Sequence, residues 1–159
     1  MRAPANVRLE RLEKLLEHLS EESEKGNPII VEGAKDKNAL RAIGITGSIL
    51  CLQSSRLNPL EFVEELGELR QAIVLTDFDR QGVSLAHRLS RTLNSRGTLG
   101  NIIIWRSLRE LTRSNLRSIE ELPGYRERLR LEVEKPNDAF PHKFARQHHS
   151  RAIRRQIMP

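Results

Sequence analysis

Apolar residues recur at helical spacing near the start of the chain. Leu9, Leu12, Leu15, Leu16 and Leu19 are separated by Glu, Arg and Lys, which predicts an amphipathic helix ended by Gly26-Asn27-Pro28. The period then changes. Ile29-Ile30-Val31 is a short apolar run closed by Glu32-Gly33, the mark of a buried strand with a turn after it. A helix is predicted from Asp36 to Ile43, ended by Gly44, and a second strand within Gly47 to Leu52. Asn58 is a good N-cap, with Pro59 at the first helical position and Glu61 three residues after the cap. Leu60, Phe62, Val63, Leu66 and Leu69 carry that helix to about Arg70. Ala72 to Thr76 reads as a third strand stopping at Asp77-Phe78-Asp79, and Gln81 to Asn94 as a helix with Val83, Leu85, Ala86, Leu89 and Leu93 on its apolar side. Gly97 and Gly100 mark a turn before a fourth strand from Asn101 to Trp105. Leu108 to Leu122 and Tyr125 to Val133 read as helices broken by Pro123-Gly124.

Strands that alternate with helices at short intervals belong to an α/β fold, with a parallel sheet covered by helices. The strands are continuous apolar runs, as expected when both sheet faces are buried. At 159 residues the chain suits one domain with its own core. The expected organisation is an N-terminal helix over residues 1–27 packed on the domain, a catalytic body with its following helices over 28–134, and a basic segment over 135–159.

Composition narrows the setting. The single cysteine, Cys51, lies in an apolar run and is expected to be a buried small hydrophobe in a reducing compartment. No apolar stretch approaches the roughly 18 residues of a membrane span, and the N-terminus shows no signal-peptide core. A cytoplasmic protein with no membrane partner is the expectation. The abundance of Glu and Arg hints at a thermophile.

The net charge is +6, but from Ala139 to Pro159 there are five basic residues, Lys143, Arg146, Arg151, Arg154 and Arg155, and no acid. The rest of the chain is therefore close to neutral. A basic tail on a neutral body points to a polyanion such as nucleic acid; a solvated terminus is the alternative. His142, His148 and His149 in that tail are expected to contact a polyanion rather than a metal. Phe140 and Phe144 are expected to anchor the tail, and Trp105 to lie in the core.

The acids fall at strand ends. Glu32 follows the first strand, and Asp77 and Asp79 follow the third. Ligands of open parallel sheets bind at that edge. Residues i and i+2 of an extended segment point the same way, so Asp77 and Asp79 can face one point. Clustered carboxylates repel, and a divalent cation such as magnesium removes the penalty. Gly82 is expected to let the chain turn tightly into the next helix, whose N-terminus suits a phosphate, and Gly33 to do the same after the first strand. Asp36 serves either as a first-turn acid of its helix or as a metal ligand.

Ile30-Val31-Glu32-Gly33 with Asp36, and Leu75-Thr76-Asp77-Phe78-Asp79-Arg80-Gln81-Gly82, resemble the Toprim family over about residues 28 to 106. That family's signature is a strand ending in Glu-Gly and a later strand ending in Asp-x-Asp-x-x-Gly. It occurs in topoisomerases, bacterial-type primases, nucleases, recombination mediators and a small ribonuclease that matures 5S ribosomal RNA. The resemblance implies a Toprim (Rossmann-like) fold with a four-stranded parallel sheet. It implies Glu32 as general acid/base and metal ligand, and one or two magnesium ions on Asp77 and Asp79. The wording is most similar to the ribosomal-RNA maturase and to small stand-alone Toprim proteins, although Ala34-Lys35-Asp36 replaces the maturase's usual Lys-Asp-Asp order. At 159 residues no room is expected for the gate domains of a topoisomerase, so Tyr125, the one tyrosine, reads as an ordinary helix-terminal residue, and one cysteine cannot build the zinc module of a primase or recombination mediator.

The expectation is a magnesium-dependent phosphodiester hydrolase of structured RNA, with ribosomal RNA or its precursor ahead of DNA. Lys35, Arg80, Arg88 and the tail residues Lys143, Arg146, Arg151, Arg154 and Arg155 would contact phosphates. The alternative is a non-catalytic Toprim protein bound to RNA, the ribosome or a larger nucleoprotein complex.

Overall fold

The computed structural model describes residues 2–113 and 115–135. Helix α1 (Ala5–Glu24) leads into strand β1 (Ile29–Val31), helix α2 (Ala34–Ala42), strand β2 (Ile49–Cys51), the single turn α3 (Leu52–Ser55) and helix α4 (Pro59–Leu66). Strand β3 (Gln71–Val74), helix α5 (Arg80–Ser95), strand β4 (Leu99–Asn101) and helix α6 (Ile103–Leu111) follow. A 3-10 turn at Ile119–Glu121 then runs into helix α7 (Leu122–Glu134).

The strands form one parallel sheet in the order β2-β1-β3-β4. Ile29, Ile30, Val31, Ala72, Ile73 and Val74 are fully buried, because helices cover both faces. Right-handed crossovers to opposite sides of β1 and β3 put α2 and α5 on opposite faces. Helix α4 packs on α5, while α1 packs on α6 and α7. Leu12, Leu16 and Leu19 of α1 join Leu122, Tyr125 and Leu129 of α7 in the same apolar cluster.

Several boundaries differ from the sequence expectation. The fourth strand is Leu99–Asn101, not Asn101 to Trp105. Gly100, expected in a turn, lies in that strand where α5 presses closest: a Cβ there would sit 2.6 Å from Ser90 Cα, and Ser90 Oγ donates to Gly100 O at 2.7 Å. Asn101 Oδ1 accepts the Ile103 N–H at 2.9 Å and turns the chain into α6. Trp105 is therefore core, as expected, but on a helix. The expected helix from Leu108 to Leu122 is interrupted, since α6 ends at Leu111. Pro123-Gly124 does not break a helix but lies in the first turn of α7, where a missing N–H costs nothing. Helix α4 stops at Leu66 rather than near Arg70, because Gly67 turns with φ of 69°. Cys51 is half-buried rather than buried. Among the described residues no helix is long and apolar enough to cross a membrane. The tail residues, including Phe140, His142, Lys143, Phe144, Arg146, His148, His149, Arg151, Arg154 and Arg155, lie outside the described residues.

Candidate functional site

From β1 the chain crosses to β2 on one side, and from β3 it crosses to β4 on the other, yet β1 and β3 are neighbours. A crevice opens at the carboxyl ends of such a pair, because the following helices leave on opposite faces. Glu32 and Asp77 both emerge there.

Their placement follows from hydrogen bonding. The β1–β3 ladder runs through Ile73 N–H to Pro28 O and Leu75 N–H to Ile30 O, each 2.8 Å. A side chain supplies the next rung, as Asp77 N–H donates to Glu32 Oε1 at 3.1 Å. Asp77 Oδ1 accepts the Ile119 N–H at 3.1 Å, which ties the 3-10 turn to the sheet edge. Asp79 is the N-cap of α5, and its Oδ1 accepts the Gly82 N–H at 2.7 Å. Asp36 Oδ2 accepts the Gly33 N–H at 3.0 Å at the start of α2, so the first-turn role foreseen for it is filled. Glu32, Asp77 and Asp79 each bind the scaffold through one oxygen. The second oxygen of each has no hydrogen-bond donor among the described residues.

Gly82 is fixed by space. A Cβ on it would lie 2.1 Å from the Asp77 carbonyl oxygen, and Thr76 Oγ1 donates to Gly82 O at 2.7 Å from the other side. Gly33 is different: its φ of −138° is ordinary extended backbone. A Cβ there would meet only the end of the Gln53 side chain, at 2.8 Å, and that side chain can move aside. The tight-turn role expected of Gly33 is not what the backbone shows.

Burial raises the Glu32 carboxyl above its ordinary value. The Asp77 N–H opposes this, and the charges of Asp79 and Asp36 add to it. Asp36 is raised by burial in the same way, opposed by the backbones of Gly33 and Glu120 and reinforced by the Glu120 charge. Asp77 is pushed up to about 7, chiefly by burial, against the Ile119 hydrogen bond and with the charges of Asp36, Glu32 and Asp79 behind it. None of the ion pairs among the described residues involves these acids. The protein thus gathers negative charge and leaves it uncompensated, which is costly unless a cation or a proton supplies the balance.

Hard carboxylate oxygens with no basic partner suit magnesium. Among the described residues, no group of three or more His, Cys, Asp or Glu side chains stands close enough to hold an ion unaided. Magnesium fits that open donor set, since it keeps several waters and completes its shell on a phosphate.

Of the cationic residues expected to contact phosphate, Lys35 and Arg80 are exposed in the first turns of α2 and α5, beside the acids. Arg88 is exposed two turns further along α5, about 12 Å away by helix rise. The sequence reading missed the segment from Asn115 to Glu121, which delivers the Ile119 N–H to Asp77 and the Glu120 charge to Asp36. Ser118, followed three residues later by Glu121, was a capping signal for it. The Ser118 N–H donates to Glu121 Oε2 at 3.0 Å.

The Toprim domain matches residues 27–102. The chain is 39% identical over 127 residues to the UPF0292 protein of Methanosarcina barkeri, covering 79% of this chain and 87% of that relative. It is 33% identical over 115 residues to the UPF0292 protein of Thermococcus kodakarensis, covering 72% and 85%. It is 32% identical over 116 residues to that of Methanocaldococcus jannaschii, covering 73% and 90%. A solved structure of a protein from Aquifex aeolicus superposes with a TM-score of 0.55 at 26% identity, covering 69% of this chain and 95% of the other. The Toprim match brings with it a nucleic-acid-related, metal-dependent function in general terms.

Proposed function

The chain belongs to the UPF0292 family, and on that premise we propose that it is a magnesium-dependent phosphodiester hydrolase acting on structured RNA, with ribosomal RNA or its precursor as the substrate. The observation that carries this reading is the carboxylate edge. Two adjacent strand ends bring Glu32 and Asp77 into hydrogen-bond contact, with Asp36 and Asp79 within electrostatic reach.

Asp77 and Asp79 would hold magnesium, with Glu32 and Asp36 beside them. Bound there, magnesium supplies charge neutralisation of a phosphate and a more acidic water. Glu32 is suited to take up and return a proton, because burial lifts its carboxyl above the ordinary range. Lys35 and Arg80 would hold phosphates at the two helix starts, as electrostatic contacts without sequence reading. The expected partners are RNA and, through the basic tail, the ribosome or a larger nucleoprotein complex in the cytoplasm.

A cleavage assay on structured ribosomal RNA and matched DNA tests the reading, with wild type and Asp79→Asn each in magnesium and in chelator. Discrete cuts in RNA that need both magnesium and Asp79 support it. Retarded but intact RNA in every lane would sink it in favour of a binding protein with a Toprim fold. That second reading has one observation of its own, the absence of a closed metal cage among the described residues.

A further inference from the structure

A groove of a different character adjoins the Asp77-Phe78-Asp79 loop. Phe78 is half-buried between the two acids, and its ring centroid lies 6.2 Å from that of Trp105. Trp105 is 1% exposed, and its Nε1 donates to Thr76 O at 2.9 Å, which fixes α6 against the end of β3. His87 of α5 meets the same ring edge-on at 5.9 Å, and Arg109 lies over it at 5.7 Å. These side chains, with Arg106 and Arg113, border a cavity of about 410 Å³.

The arginines share one side of α6 and its end, because 106, 109 and 113 stand at i, i+3 and i+7. All three are exposed. Arg106 and Arg109 form none of the ion pairs or side-chain hydrogen bonds found among the described residues. Glu110 is the one acid on the border, so the groove is net positive beside an edge that is net negative. A phosphate strand arriving without a cation is repelled by the acids and attracted by the arginines. The cavity is the size of a small-ligand site and too small for a duplex. Its mixture of guanidinium groups and aromatic ring edges suits a base and its flanking phosphates.

We propose that this groove binds an unpaired nucleic-acid segment next to the scissile phosphate, with a base against Phe78 and His87 and phosphates on Arg106, Arg109 and Arg113. The word scissile rests on the reading of the neighbouring acids given above; the binding does not. It follows that the substrate's cleavage site lies in or beside a single-stranded stretch, and that this stretch binds without needing magnesium.

Trp105 is the only tryptophan of the chain and touches three of the residues that form the groove, so its emission reports occupancy. The experiment titrates the full chain, in chelator, with a short oligoadenylate and with a duplex of the same length, following Trp105 emission at several salt concentrations. The single strand is expected to change the emission saturably. Arg106→Ala/Arg109→Ala should weaken binding roughly tenfold at low salt and flatten the log–log salt dependence by about 1.4. Arg106→Lys/Arg109→Lys should retain most of the affinity, which separates lost charge from misfolding. An unchanged emission, equal affinity of the alanine variant, or equal binding of the duplex with the same response would each overturn the proposal. Groove binding in chelator, together with no cleavage of structured RNA when magnesium is supplied, would instead remove the hydrolase reading and leave the groove standing.

Discussion

Asp79 does two things that substitution can separate. Its Oδ1 caps α5 through the Gly82 N–H, and its charge adds to that of the acidic edge around Glu32 and Asp77. Asn retains the acceptor and Ala removes it. Both variants are therefore expected to lose magnesium-dependent cleavage, while Asp79→Ala alone also loses about 1 kcal/mol of stability; urea unfolding of the two variants checks this. Gly82→Ala is expected to be worse, since its methyl would meet the Asp77 carbonyl oxygen at 2.1 Å and neither backbone can move cheaply. A loss of about 2 kcal/mol or more is expected, together with activity, because the displaced group belongs to Asp77 itself. Unaltered unfolding of Gly82→Ala would contradict that close approach. The acids and this glycine were legible in the sequence because their roles are local: a strand end, a cap and a contact five residues away. What the sequence did not show is the backbone of Ile119 under Asp77, a contact across 42 positions that no periodicity encodes.

The elements divide along the same line. The helix after Asn58 was readable to its first residue, since cap, proline and Glu61 agree. The run Ile102-Ile103-Ile104-Trp105 was not, because three identical apolar residues carry no period. Only the packed structure shows Ile103 as 65% exposed while Ile104 and Trp105 are buried. Helices α1 and α7 meet through Glu13, which accepts from Arg126 Nε and Nη2 at 2.7 Å each. The Arg126 hydrogen bond holds the Glu13 carboxyl below its ordinary value of 4.5. A carboxylate depressed in the fold stabilises it above the unfolded value and loses that contribution as pH falls through the folded one. Glu13→Gln should therefore lower stability near pH 7 by about 1 kcal/mol or less, given that the pair is partly exposed. The difference should narrow as pH falls below the ordinary value of 4.5 and close in stronger acid, once pH is below the folded value. Urea titrations at both pH values measure it, and a difference that persists in acid would contradict the ion pair.

At the scale of the whole molecule, charge is sorted by place. Acids collect at the sheet edge, arginines line α6 beside it, and the sequence adds five basic residues in its last stretch. A chain ending at Lys135 keeps every described element. It should bind RNA more weakly regardless of sequence, with a salt slope reduced by roughly four to five. Equal affinities of the short and full chains would remove the tail from binding. The fold class was legible because strand and helix runs alternate. Strand order was not legible from the runs alone, and it is the adjacency of β1 and β3 that brings Glu32 to Asp77.

The carboxylate edge at Glu32, Asp77 and Asp79 is expected to take a divalent cation. Thermal unfolding of the full chain in chelator and in increasing magnesium tests it without any substrate. Binding to the folded state alone raises the midpoint with concentration. The account predicts a saturable rise for wild type that Asp77→Asn/Asp79→Asn abolishes, while the variant remains folded. An identical response of wild type and variant, or none in either, would contradict it.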